Sequence, residues 1–458
     1  MSDISFLYFF LPVFTGLYLI TPKVLKRSLV LLAGAGVIVW ADPIGLIPMA
    51  VCILSGYLFG IFIHNFREQV LGKVFLGLEI AVNVAAFLLF HRTAFDGADF
   101  MTLLGQKSMI KSAAAVGASV MPLHSMAYCI DIYRNKYVAE HRFTTVAEYI
   151  AFFPTFGAGP ILSFDKMKSQ LEEPKPSFEK CAVGVRMLMV GLIMKLFISN
   201  AMDDLWHDVT DISPESLPVV TAWLGSLGFA MFFYFEVCAF SCMACGLASL
   251  MGIDLGYNLP GPLNSQSFRG LCRRANPSLY RWSRNYIYNS IMRDGNGFSE
   301  FTAIMFSVML AGLWYGVSMR SVMFAAALII MMSLEKIMER PLKKLPALVR
   351  YIILIFLALV IMPFMAFSVP AEALLYIAAM FGGGDNTLDT SSSYLLGNYC
   401  FPMITGLVVS LGLFGYLKRK KLFNNEYLTT IIQPVWVIAL LILCTAFLVA
   451  GENCIYMF

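Results

Sequence analysis

Stretch after stretch of this sequence is apolar over about 17–25 residues, the length an α-helix needs to cross the hydrocarbon core of a bilayer. Residues 351–369, YIILIFLALVIMPFMAFSV, are typical. A chain in lipid must satisfy its backbone polar groups internally, so runs of this kind have to be helices. The short alternating strands of a transmembrane barrel are a different pattern. Composition agrees: 59% of the residues are hydrophobic and 14% charged, against roughly 25% charged in a soluble domain. The expectation is an all-α polytopic membrane protein with about 11–12 transmembrane helices, a single integral membrane domain over residues 1–458. Candidate spans are 4–21, 28–41, 44–63, 74–92, 109–130, 179–199, 218–250, 299–318, 321–338, 349–369, 397–416 and 431–450, with 28–41 short enough to be tilted or partly re-entrant.

The loops orient the bundle. Basic residues follow every odd-numbered span: Lys23, Lys26 and Arg27; Arg67 and Lys73; Arg134, Lys136 and Arg142; Arg269 to Arg284; Arg340, Lys343, Lys344 and Arg350; and Lys418 to Lys421. Intervening loops are acidic, with Asp203, Asp204, Asp208, Asp211 and Glu215 in one and Asp385 and Asp389 in another. By the positive-inside rule the basic loops are cytoplasmic and both termini face outward. The net charge of +4 is that of loops which set orientation, and it gives no indication of nucleic acid as a partner; the lipid bilayer is the partner expected. Met1–Leu7 has no basic n-region, so the first apolar run reads as a retained helix and not a cleaved signal. Ten cysteines lie mostly inside apolar runs, which argues against a disulfide framework. Cys238, Cys242 and Cys245 share a helix face, but no histidine accompanies them. They read as packing residues, and no metal site is expected.

Three stretches break the pattern. Residues 148–162, EYIAFFPTFGAGPIL, hold Pro154, Gly157, Gly159 and Pro160 inside an apolar segment. Broken backbone at membrane depth survives only where it is buried in protein or lines a cavity. Residues 254–294 are polar, basic and aromatic, and RWSRNYIYNSIMRD within them reads as an interfacial amphipathic helix. PAEALLYIAAMF, 370–381, reads as another short one. No internal repeat stands out, which disfavours a repeat-built transporter.

Several segments, in order, resemble the membrane-bound O-acyltransferase family, and most closely its bacterial branch that acylates polysaccharides and teichoic acids. HSMAYCIDIYR (124–134) resembles a helix ending I-D-V-Y-R, and EYIAFFPTFGAGPI (148–161) resembles F-F-P-x-x-x-A-G-P-I. The segment 234–265, from YFEVCAF to GPLNS, is similar to a Y-F-D-F-S-G-Y-S-D-M-A-I-G helix succeeded by N-F-x-x-P-F-x-S. CRRANPSLYRWSRNYIY (272–288) resembles W-R-R-W-H-I-S-L-S-x-W-L-R-D-Y-L-Y, AGLWYG (311–316) resembles G-L-W-H-G, and the tail CIYMF (454–458) is similar to F-I-Y-F-x-F. The resemblance implies re-entrant and interfacial helices around a central tunnel. It also implies N-terminal helices over 1–108, a core over 109–320 and C-terminal helices over 321–458. The implied activity is acyl transfer to a hydroxyl from an acyl-CoA or acyl-carrier thioester, which is a substrate and not a bound cofactor. The implied setting is the bacterial cytoplasmic membrane, beside an outer-face acyltransferase or hydrolase-like protein or an acyl-carrier protein.

Carried over residue by residue, the resemblance places Tyr315 where the family keeps its histidine base. Histidine suits that work because its pKa is near 6.5. A phenol ionises near pH 10, so it is a poor base at neutrality, though it can donate a hydrogen bond; the plainer reading of Tyr315 is a buried aromatic with a satisfied hydroxyl. Asn276 stands where the bacterial motif has a second histidine. Cys242 replaces the aspartate of S-D-M-A, Glu236 keeps an acid where the family has aspartate, and Asn285 replaces the aspartate of R-D-Y. Trp314, Arg273 and Arg274 are tunnel or substrate-binding candidates with Glu236, Cys242 and Asp131. Of five histidines, His64, His91, His141 and His207 fall in loops or at span ends. His124 lies inside an apolar helix, on the same face as Asp131, and is the one substitute base worth naming, against the reading of a hydrogen-bonded packing histidine. Two functions are compatible with these residues. One is an O-acyltransferase acting on hydroxyls of a cell-envelope polysaccharide. The other is an inactive relative that scaffolds an active partner or conducts an acyl group or lipid.

Overall fold

A computed structural model of the protein describes residues 4–41, 43–90, 117–256, 261–292, 297–383, 390–412 and 433–449. Among these, every regular element is a helix. Six are long and apolar enough to cross a membrane: Lys23–Ala41, Pro43–Asn65, Val70–Phe90, Phe178–Thr210, Val219–Leu250 and Ala347–Ala366. Shorter apolar helices at Phe6–Ile20, Ser299–Leu313, Pro370–Met380 and Val435–Val449 fill in between them. The run expected as the short span 28–41 begins earlier, at Lys23, and is a full 19-residue helix. Its first turn carries Lys23, Lys26 and Arg27; Lys26 lies over the Tyr18 ring, and Arg27 reaches Thr145 and Glu148. The expected span 109–130 is seen from residue 117 only, with its helix over Met121–Tyr133. The basic run Lys418–Lys421, Asp385, Asp389, His91 and the tail 454–458 lie outside the described residues.

The Val219–Leu250 helix is the axis of the molecule. It is apolar on every face, as a helix surrounded by protein has to be, and 83% of its most apolar window is buried inside the protein. At 32 residues it is about 48 Å long at 1.5 Å per residue, well beyond a bilayer core. The Phe178–Ile193 helix packs along it at backbone distance: a Cβ added at Gly246 would sit 2.7 Å from the Gly184 carbonyl oxygen, and one at Gly191 would sit 2.7 Å from that of Ala239. Small residues permit such approach between helices in lipid.

A second cluster joins the helices Leu46–Asn65, Val70–Phe90 and Met121–Tyr133 through buried polar groups. Glu79 Oε1 accepts from Asn83 Nδ2 at 2.7 Å and from Ser125 Oγ at 2.9 Å. The broken segment 148–162 runs beside this cluster. It forms a short 3-10 turn at Phe153–Thr155 and is buried over most of its length. Its backbone is therefore shielded by protein, as irregular structure at membrane depth requires.

The polar stretch after the axial helix divides into two short helices, Phe268–Ala275 and Pro277–Ser283, and a π turn at Arg284–Tyr288. It is pinned to the Met121–Tyr133 helix. Trp282 Nε1 donates to the Leu123 carbonyl at 2.9 Å, and the Tyr286 hydroxyl donates to Asp131 Oδ2 at 2.7 Å. The Pro370–Met380 helix is held on the axial helix, where the Tyr376 hydroxyl donates to the Ala222 carbonyl and Trp223 Nε1 donates to the Met380 carbonyl, both at 2.8 Å.

Candidate functional site

The axial helix, the short helices at 268–283 and the hairpin Gly297–Leu313/Met319–Ile337 do not close on one another. Between them lies a cavity of about 540 Å³, backed by the Ala347–Ile361 helix. Its walls are mainly apolar, with Met231, Phe233, Ile304, Val308, Leu328 and Ala358 among them. Tyr315 and Asn276 both line it.

Local sequence explains how each of these two is held. The Gly297–Leu313 helix ends in a tight turn, where Tyr315 N–H donates to the Gly312 carbonyl at 3.1 Å and Gly316 N–H to that of Leu313 at 3.0 Å. Gly316 takes φ of 133°, in the region only glycine enters readily. Gly312 seals the hairpin: a Cβ there would meet Ala325 Cβ at 2.8 Å and the Ser321 carbonyl oxygen at 2.9 Å. Trp314 is wholly buried, and its Nε1 donates to the Ser119 carbonyl at 3.1 Å. That fixed indole meets the Tyr315 ring edge-on at 5.1 Å between centroids, while the Phe233 ring lies 4.4 Å away on another side. Asn276 caps the Pro277–Ser283 helix, with proline in the first turn, where its missing N–H does no harm. Its Oδ1 accepts from Leu279 N–H at 3.2 Å and Ser278 Oγ at 3.1 Å.

The cavity has a basic mouth. Arg269, Arg273 and Arg284 line it, and Arg273, Tyr280 and Arg284 also belong to an adjoining recess of about 420 Å³ with Arg281, Asn285 and Asn289. Arg269 faces Glu300 at 3.7 Å. Among the described residues no carboxylate pairs with Arg273, Arg281 or Arg284. Charges of one sign beside low-dielectric walls focus a field on anions.

The other residues singled out by sequence are not in the cavity wall. Arg274 turns away and donates to the Gly261 carbonyl at 3.4 Å. Glu236 faces the neighbouring helix, 2.6 Å from Lys195 Nζ, and accepts from Ser199 Oγ at 2.8 Å. Cys242 is buried in the axial helix, and Cys245 nearby donates to the Gly256 carbonyl at 3.2 Å. Asp131 is engaged by Tyr286 and by Lys136 Nζ at 2.6 Å. His124 is wholly buried and stacks on Tyr149 at 4.8 Å between centroids. The carboxylate–hydroxyl contact from Asp131 and the Trp314 indole thus hold the two sides of the site in place without entering it. Sequence reasoning passed over Lys195, although a single lysine within the apolar run 179–199 was visible. It also passed over Arg284, Tyr280 and Cys272, whose place on the cavity is set by the turn of short helices.

Fold and cavity together make this an all-helical membrane protein with an apolar cavity, exposed arginines at its edge and Tyr315 and Asn276 in its wall. The chain belongs to the membrane-bound O-acyltransferase family, whose family model matches residues 136–379. It is similar to a probable alginate O-acetylase of Pseudomonas aeruginosa, 28% identical over 332 residues, which cover 71% of this chain and 64% of that one. It is also similar to a peptidoglycan O-acetyltransferase of Helicobacter pylori, 23% identical over 58% of this chain and 55% of the relative. A third relative is a teichoic acid D-alanyltransferase of Bacillus subtilis, 23% identical over 64% of this chain and 74% of the relative. The matched region spans just under two thirds of the alginate relative's length. The family and branch expected from the motifs are therefore those found.

Proposed function

We propose that the protein transfers an acyl group, acetyl by analogy with its relatives, to hydroxyls of a cell-envelope polysaccharide in a bacterial cytoplasmic membrane. The single observation that carries this reading is the cavity that brings together Tyr315 and Asn276, the two positions that the motif resemblance sets where the family keeps its histidines. Its apolar walls accommodate an acyl chain, and its arginines suit the phosphates of a coenzyme A or carrier-bound thioester donor. A chamber at membrane depth lets a donor from one face meet an acceptor from the other. An outer-face acyltransferase or hydrolase-like protein is the expected partner, to carry the group onward.

Base-labile acetate on envelope polysaccharide tests the reading. It is compared in a deletion strain and after return of the wild type or of Ala311→Trp, which obstructs the cavity beside Tyr315. Ester acetate should fall on deletion, return with the wild type and stay absent with Ala311→Trp at equal membrane abundance. Unchanged acetate in the deletion strain would end the proposal. Full rescue by Ala311→Trp would remove the cavity from it.

A further inference from the structure

The ionisable side chains that line the cavity are Arg269, Arg273, Arg284, Cys272 and five tyrosines. Neither a histidine nor a carboxylate is among the described residues of the wall. What this chamber offers a reacting molecule is hydrogen-bond donors, and two of them are fixed at one place. Asn276 is buried, and both bonds to its Oδ1 come from its own turn. Its Nδ2 makes no well-aligned hydrogen bond, yet it lies near enough to interact with the Tyr315 hydroxyl. Phe233 and Trp314 hold the Tyr315 ring from two sides.

We infer that the Tyr315 O–H and Asn276 Nδ2–H bind the carbonyl oxygen of the acyl donor, so that Tyr315 works as a proton-bearing donor and not as a base. The inference rests on the acyl-transfer reading above and assigns the roles within it. The step balances without a protein base. The acceptor oxygen forms a bond to the acyl carbon, and the carbonyl π pair moves onto oxygen, where the two donors hold it. Collapse breaks the carbon–sulfur bond, and the acceptor's proton passes to the departing sulfur, giving an ester and a thiol. Fixed donors at a developing oxyanion are each worth about 10²–10³-fold in rate.

The two roles differ in their dependence on pH, which makes them separable. A base must be deprotonated to act, so the rate climbs as pH approaches the phenol pKa. A donor must be protonated, so the rate falls once pH passes the phenol pKa, and a phenol of lower pKa brings that fall to lower pH. The test measures initial rates of polysaccharide O-acylation in cells, normalised to membrane abundance, for four proteins. They are the wild type, Tyr315→Phe, Asn276→Asp and a protein with a fluorinated tyrosine of lowered pKa at 315. Asn276→Asp keeps the oxygen that accepts from Leu279 and removes the amide donor, so it spares the helix cap. Expected are losses on the order of 10²-fold for Tyr315→Phe, a loss for Asn276→Asp, and, with the fluorinated residue, a rate that falls at the alkaline end at lower pH than in the wild type. A rate that climbs with pH as the fluorinated phenol ionises, or a Tyr315→Phe rate equal to wild type, would overturn the donor role while leaving acyl transfer intact. No acylation by the wild type would sink the acyl-transfer reading itself.

Discussion

The motif resemblance sets Glu236 where the family has an aspartate, yet the structure turns it toward Lys195, and the pair has a measurable signature. Lys195 Nζ and Glu236 Oε2 are 2.6 Å apart, with side chains 1% and 0% exposed. The π turn Met194–Ser199 puts Ser199 Oγ on the same carboxylate at 2.8 Å. Removing one partner of a buried pair strands a charge and costs about 3–5 kcal/mol, whereas replacing both by apolar residues of similar volume is neutral or stabilising by about 1–4 kcal/mol. Glu236→Leu and Lys195→Met alone are therefore expected to destabilise by the first amount. The double variant Lys195→Met/Glu236→Leu should recover wild-type stability or exceed it. Unfolding by SDS titration in mixed micelles reads all four free energies and closes the double-mutant cycle. Acylation in cells supplies a second readout, and the double variant should retain most of it, because Glu236 is not in the cavity wall. The reasoning is refuted if the single variants are as stable as wild type while acylation is lost in every variant that lacks Glu236. That outcome would place the carboxylate in the chemistry and make the pairing with Lys195 incidental.

Three further outcomes are expected from the same geometry. Gly246→Ala puts a methyl 2.7 Å from the Gly184 carbonyl oxygen and 2.8 Å from Leu188 N; overpacking of this kind should destabilise by about 1–3 kcal/mol, read by the same SDS titration, and an unchanged midpoint would show that the two helices part freely. Arg273→Ala with Arg284→Ala should raise the concentration of acyl donor needed for half-maximal rate and flatten its dependence on salt, since exposed charges act through a screened field; rates in membrane vesicles at two ionic strengths check this, and an unaltered salt slope counts against a basic mouth for an anionic donor. Burial favours the neutral form of the Glu140 carboxyl, but Lys168 Nζ at 2.7 Å and the Arg142 N–H hold it below the usual range. Its stabilising contribution is therefore present above the ordinary glutamate pKa of about 4.3 and is lost as pH falls through the depressed value. The pair is partly exposed, so Glu140→Gln should remove no more than about 1 kcal/mol of that acid-side slope, visible in thermal stability measured from pH 7 down to pH 3.

How far the residues themselves foretold this depends on whether a signal is local. Pro154, Gly157 and Pro160 in an apolar run announce a broken segment that must be shielded, and the structure buries it. The length and all-round apolarity of 218–250 mark a helix with protein on every side, and Val219–Leu250 is that helix. His124 and Asp131 show where such reasoning stops. Seven residues place them on one face, but also about 10 Å apart along the axis, far enough to meet different neighbours: Tyr149 for the histidine, Tyr286 for the aspartate. The cap at Asn276 was present in the dipeptide Asn276–Pro277, a local signal that motif comparison had claimed for chemistry alone. The resemblance implied a central tunnel, but most of the residues that line the cavity were not legible. Ile304, Val308, Leu328 and Ala358 read like any lipid-facing residues, because hydropathy reports that a side chain avoids water and says nothing of whether lipid, protein or a substrate replaces it. Only the polar exceptions carry position. Tyr315 and Asn276 are such exceptions, 39 positions apart in the chain, and their meeting is made by a hairpin sealed at Gly312 and a capped helix pinned to Leu123 and Asp131. A motif can thus single out two polar positions, while the chamber that brings them together depends on the close contacts of residues that no motif singles out.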